Sequence, residues 1–216
     1  MPNNVFIITK IHNLKKMKKI TLILLVGFLL NLSLFLKTNA QQNSIIISEF
    51  MPNPNTVSDS LGEWIELYNN SLILQDLNGL TIQNQTKEFL ISESLTVEPF
   101  KTVVLCKNSD FSTNGGINCD YQYGGLSLVN SGGWIQLTDN QNLINKAQYS
   151  SDLVESGKSL ELDCFSLNKS VFNDDDFLLS QTQLLSGDWG TPGQYSCSVQ
   201  ETPTPSPTPS PTPSPT

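Results

Sequence analysis

Between Ile45 and Tyr195 the chain carries no sustained helical repeat of apolar residues, only short apolar runs cut by turn-forming clusters. This rhythm constrains the fold more than any other feature. A short alternating run buries one face of a strand but cannot bury one side of a helix. Ile45-Ile46-Ile47 is β-branched and stops at Met51-Pro52-Asn53-Pro54, where two prolines end any ladder. Glu63 to Tyr68 is a second strand, closed by Asn69-Asn70-Ser71. Alternation puts Ile65 and Leu67 on one of its faces and Trp64, Glu66 and Tyr68 on the other. Leu77 to Gln83 is a third, with Gly79 marking a bulge or a late start, and Glu88 to Ile91 a short fourth. Glu98-Pro99-Phe100-Lys101 turns the chain into Thr102 to Cys106, the clearest core strand. After a polar, Gly-rich loop, Leu126-Ser127-Leu128 is brief. Trp134 to Thr138 and Leu143 to Tyr149 follow, joined by Asp139-Asn140-Gln141-Asn142 into a hairpin. Lys158 to Asp163 reads as the last regular strand. About eight strands at intervals of roughly ten residues predict an all-β antiparallel sandwich or barrel.

The flanks have a different character. Lys15, Lys16, Lys18 and Lys19 precede an apolar stretch from Ile20 to Leu36 and then Thr38-Asn39-Ala40. This is the pattern of an export signal cut after Ala40, and Met17 fits as the natural start. From Thr202 on, a Thr-Pro/Ser-Pro alternation favours an extended polyproline II form. The expected organisation is a signal region over 1–40, a folded domain over 41–197 and a Pro/Thr/Ser-rich spacer over 198–216. The expected location is secreted or at the cell surface. Membrane contact is then transient through the signal, or lasting if the apolar segment stays as an uncleaved N-terminal anchor.

All 20 acidic residues but only six of the 12 lysines follow residue 40, giving that part a net charge of −14. Such a surface repels phosphate backbones, so nucleic acid is not an expected partner. The four cysteines, Cys106, Cys119, Cys164 and Cys197, lie in the same part. An even count in an oxidising compartment predicts two disulfides with three possible pairings, and order along the chain favours Cys106–Cys119 and Cys164–Cys197.

Ile-Ile-Ser-Glu-Phe-Met-Pro-Asn-Pro (46–54) followed by Gly-Glu-Trp-Ile-Glu-Leu-Tyr-Asn (62–69) resembles the opening of the lamin-tail domain of exported bacterial proteins. Asp76 to Ile82, Leu95 to Leu105, Leu126 to Tyr149, Gly157 to Glu161 and Thr191-Pro192-Gly193 resemble that family's later segments in order, with Pro99-Phe100 where Pro-Gly is usual. The resemblance spans residues 45 to 195. It implies an immunoglobulin-like β-sandwich with an accessory role and no chemistry of its own.

The residue inventory points the same way. His12, the only histidine, precedes the signal, and the chain has no arginine. Nucleophile–imidazole pairs, histidine-bound zinc and arginine clamps on phosphate are therefore not available after residue 40. No catalytic residue and no cofactor is expected. The binding candidates are Trp64, Glu66, Tyr68 and Glu49 on an open strand face; Glu49 and Glu66 become neighbours if their strands pair. Trp134, Trp189 and Tyr149 are further aromatics that could meet a sugar or peptide. Asp174, Asp175 and Asp176 are calcium candidates, although the run lacks alternating ligand spacing. The expected function is a non-catalytic binding or anchoring module for an unknown protein or glycan ligand at the cell surface. The alternatives are a targeting appendage of a larger exported hydrolase and a purely structural envelope protein.

Overall fold

The computed structural model describes residues 44–195; the expected signal region, the spacer and Cys197 lie outside the described residues. In chain order the strands are β1 (Ile45–Met51), β2 (Trp64–Asn69), β3 (Gln75–Asp76), β4 (Leu80–Gln83), β5 (Glu88–Leu90), β6 (Thr96–Val97), β7 (Thr102–Cys106), β8 (Tyr121–Gln122), β9 (Gly132–Asp139), β10 (Asn142–Ser150), β11 (Leu160–Leu162), β12 (Val171–Phe172) and β13 (Phe177–Leu179). One sheet runs β13-β11-β1-β2-β7-β8, a second runs β12-β10-β9-β4-β5, and β3 pairs with β6. This is the expected immunoglobulin-like sandwich, mostly antiparallel.

Its departures from the sequence reading are local. β7–β8 and β10–β12 pair in parallel. Leu126 and Leu128 are buried but lie outside any strand, and two short strands follow β11, so Lys158 to Asp163 is not the last. A single helical turn spans Asp59–Gly62. β4 starts late, after Gly79 at φ 89°, a backbone that glycine adopts without strain. The β9–β10 turn carries φ of 45° and 72° at Asn140 and Gln141, the pair of positive angles that a tight hairpin with native twist requires.

The core lies between the sheets. Phe50 meets Tyr149 at 4.9 Å and Phe177 at 5.3 Å between ring centroids, and Phe89 stacks on Tyr123 at 5.1 Å. Each such ring buries a large apolar area and fixes the spacing of the layers. Asn145 ties the sheets together: its carbonyl oxygen accepts from the Ile47 N–H at 3.0 Å, and its amide donates to the Ser170 carbonyl.

A bulge between Ile47 and Glu49 decides which way β1 faces. Along an unbroken strand Glu49 would follow Ile47 into the core, because alternate residues share a face. The extra residue, Ser48, shifts the phase, so Phe50 enters the core while Glu49 and Met51 turn to the outer face of the sheet.

At the end of β2, Asn69 organises two loops. Its side-chain amide donates to the carbonyls of Ile73 (2.8 Å) and Val97 (2.9 Å), and its oxygen accepts from the Ser71 N–H and hydroxyl. Asn69 is fully buried, so Asn69→Ala leaves these groups unpaired and should cost about 2 kcal/mol in urea unfolding. A loss below about 0.5 kcal/mol would mean that the loops hold themselves.

Candidate functional site

Register brings three glutamates into one row across β11, β1 and β2: Glu161 opposite Glu49, and Glu49 opposite Glu66. The pairing anticipated for Glu49 and Glu66 is present. Their anticipated exposure is not: both carboxylates are fully buried, and Trp64 and Tyr68 are 1% and 5% exposed. The four candidates therefore form no surface platform. An alternating strand offers one face to the core and leaves the other to be covered or solvated, and here distant chain covers it.

The cover is the segment around Thr191-Pro192-Gly193. The Thr191 N–H donates to Glu49 Oε1 at 2.8 Å and its hydroxyl to Glu49 Oε2 at 2.7 Å. The Gly193 N–H donates to Glu66 Oε2 at 2.6 Å. From just before β11 the Ser159 hydroxyl reaches Glu49, and from β1 the Ser48 hydroxyl reaches Glu66 Oε1 at 2.6 Å. The cover lies flat because residue 190 is glycine: a Cβ there would sit 3.1 Å from Trp64 Cζ2 and 3.3 Å from Glu49 Oε1. Trp64 packs with Met51, Val104, Cys106 and Ile117 in a second apolar cluster, and Tyr68 meets Tyr195 at 5.0 Å.

Burial sets the electrostatics of the row. It pushes Glu49 up to about 7 against the hydrogen bonds from Ser159 and Thr191, and Glu66 up to about 8, with the neighbouring charge of Glu49 adding to the rise. Burial also raises Glu161. Glu63, on the same chain segment, is raised to about 7 by burial, although its carboxylate receives the Leu128 N–H and the Lys107 ammonium, each at 3.1 Å. A carboxylate pair hydrolyses a glycoside only if the sugar reaches both. Here the chain's own backbone and hydroxyls occupy the oxygens of Glu49 and Glu66. A cavity of about 500 Å³ beside the row is lined by Glu161 and Thr191, with neither Glu49 nor Glu66 in its wall.

The acidic triplet also serves the fold. Asp174 accepts the Ser150 N–H at 2.8 Å. Asp176 is buried and receives the Asn173 N–H at 2.9 Å, the Ser166 hydroxyl and the Lys169 ammonium, while Asp175 is exposed. The three side chains thus diverge, and no group of three or more His, Cys, Asp or Glu side chains among the described residues could hold a metal ion. Trp134 is half-buried with the Lys146 ammonium 4.7 Å from its ring centroid. Trp189 is half-buried too, and Tyr149 is buried with its hydroxyl accepting from the Val129 N–H. Cys106 and Cys119 form a disulfide; Cys164 is also disulfide-bonded.

The residues that sequence reasoning missed are Ser159, Thr191, Gly190 and Gly193, which together close the row. Thr191-Pro192-Gly193 was legible as a motif. Its target was not, because Thr191 and Glu49 are 142 positions apart. A family model described as Lamin Tail Domain matches residues 38–151. No curated protein matches the chain. The matched range contains Glu49 and Glu66 but ends before Ser159, Glu161 and the cover.

Proposed function

The chain belongs to the lamin tail domain family, and we propose that it works as a non-catalytic binding or anchoring module, exported and carried on its Pro/Thr/Ser-rich spacer. One observation carries the non-catalytic part. The carboxylates best placed for chemistry, Glu49 and Glu66, are buried and hydrogen-bonded to the protein itself, so they spend their acceptor capacity holding the C-terminal segment. The absence of arginine, and of histidine beyond residue 12, removes the other common acid–base and phosphate-binding groups. Support for export is the basic, then apolar, then small-residue pattern of the first forty residues together with the disulfide chemistry of the domain.

The test has two arms. The chain from Gln41 is assayed against chromogenic glycosides, esters and phosphodiesters; the expected result is no turnover above buffer, and saturable turnover abolished by Glu49→Gln would overturn the non-catalytic reading. The whole chain is expressed in a bacterial host and the cell fractionated. Recovery from the envelope or the medium is expected, whereas a reduced protein confined to the cytoplasm would sink the export reading.

A further inference from the structure

One end of the sandwich carries an apolar surface that the fold does not use. β2 ends there at Asn69, β1 begins there at Ile45 and β7 at Thr102, as their register requires. From the loops that Asn69 organises, Leu72, Ile73 and Leu74 stand 81%, 64% and 52% exposed. Phe100, whose N–H donates to the Asn69 carbonyl, is 49% exposed with φ at 57°. A bulky residue in the left-handed region is strained, and glycine would relieve that strain. Strain held on an exposed aromatic ring benefits no interior contact, and such outliers gather at binding sites. Phe165, 95% exposed, follows the end of β11 at this same end of the sheet.

Both chain ends leave the domain here. The Ser44 carbonyl accepts from the Asn70 N–H, two residues before Leu72, and Tyr195 packs on Tyr68. The apolar stretch Ile20 to Leu36 is separated from Ser44 by residues 37–43, which span at most about 25 Å even when fully extended. Wherever that stretch lies in a membrane, this end of the domain is held at the lipid surface at high effective concentration. Aliphatic and aromatic tips projecting from loops suit a bilayer interface, which asks for buried apolar area rather than a complementary shape. The net charge of −14 on residues 41–216 favours zwitterionic over anionic lipid.

We infer that Leu72, Ile73, Leu74 and Phe100 seat the domain on the bilayer that its own N-terminal apolar segment enters. This rests on the export reading, with that segment retained as an anchor. The test uses the full chain in vesicles of phosphatidylcholine brominated on the acyl chains. Ile73→Trp adds a fluorophore at the proposed contact, and Leu185→Trp adds one at a fully exposed position whose neighbour Leu184 packs with Met51 and Trp64 at the opposite end. The expected result is flotation of both variants with the vesicles, with quenching of the added emission at 73 and none at 185. Replacing Leu72, Ile73 and Leu74 by Ser should leave flotation intact and remove the amide-exchange protection that vesicles give to residues 70–74. Phe100→Gly should weaken that protection while Tm stays within about 3 °C of the parent. Flotation with equal emission at 73 and 185 overturns the proposed contact and spares the export reading. Failure to float overturns the retained anchor and the contact with it, and leaves export to the fractionation test. Protection of residues 70–74 in a vesicle-free dimer would assign the surface to a second copy and end the lipid proposal.

Discussion

Raising the pH from 5 to 9 should destabilise this domain by several kcal/mol, the reverse of the usual expectation for a protein held by ionised carboxylates. The sign follows from the direction of the shifts. Glu49, Glu63 and Glu66 sit at about 7, 7 and 8 in the fold against 4.5 as free groups, with burial the leading cause in each. An acid whose folded pKa is raised binds more protons folded than unfolded. Its contribution is complete below about 4.5 and is lost as pH climbs through 7 to 8. A carboxyl displaced from 4.5 to about 7 accounts for on the order of 3 kcal/mol, and the coupled Glu49–Glu66 pair for about 3–5 kcal/mol in total. On the acid side the trend turns. Asp76 is held below its usual value by the Asn78 N–H, and Asp110 by the Ser112 hydroxyl, so stability falls again as these protonate. Urea unfolding at pH 5, 7 and 9 reads the slope. Glu49→Gln with Glu66→Gln should remove about half of it or more, because a neutral amide loses nothing to deprotonation, and Glu63 supplies the rest. Glu93→Gln with Asp152→Asn, which removes two exposed charges, should leave the slope in place and so separates the buried row from general repulsion. Equal stability at pH 5 and 9 in the parent would show that the Thr191 and Gly193 donors hold the row ionised.

Removing the Cys106–Cys119 disulfide should cost a comparable amount by a different route. The bridge closes a loop with a sequence separation of 13, and a loop of that length restrains the unfolded chain by about 3 kcal/mol. In a domain of this size the loss corresponds to a fall in Tm of roughly 6–12 °C. Within the loop, Asn114 makes its own frame: its amide donates to the carbonyls of Asn108 (3.0 Å) and Ile117 (2.9 Å), and its oxygen accepts from the Ile117 N–H. Ile117 then packs against the Trp64 cluster. Calorimetry of Cys106→Ala/Cys119→Ala decides between the two supports. A loss near 3 kcal/mol assigns the stability to the covalent bond, whereas a loss under about 1 kcal/mol assigns it to the Asn114 frame. Reducing that variant should lower Tm further, since Cys164 is also bridged.

Local signals in the sequence were sufficient for the architecture. The β-branched run at Ile45, the alternation in Glu63 to Tyr68 and the turn at Asn140-Gln141 each name a strand or its end within a few residues, and the structure has all three. Strand formation follows short-range pattern and turn chemistry, which a linear chain displays openly. Even the first disulfide could be picked by order, because a short loop closes before a long one.

The candidate site was legible only in part. Alternation correctly separated Ile65 from Trp64, yet gave no sign that both faces of β2 would be covered. Two events beyond local pattern decided this. The Ser48 bulge turned Glu49 to the outer face, and the Thr191-Pro192-Gly193 segment returned from more than 120 positions away to cap Glu49 and Glu66. The same holds for Phe100, legible only as part of a turn, and for Leu72: both lie at the end that Asn69 organises.

The sequence alone thus determined the class of fold, the acidic balance after residue 40 and the lack of arginine, all of which depend on composition and short-range period. The tertiary structure decided that Glu49 and Glu66 serve as buried acceptors rather than exposed ligands, because a side chain's environment is set by whatever distant segment packs over it.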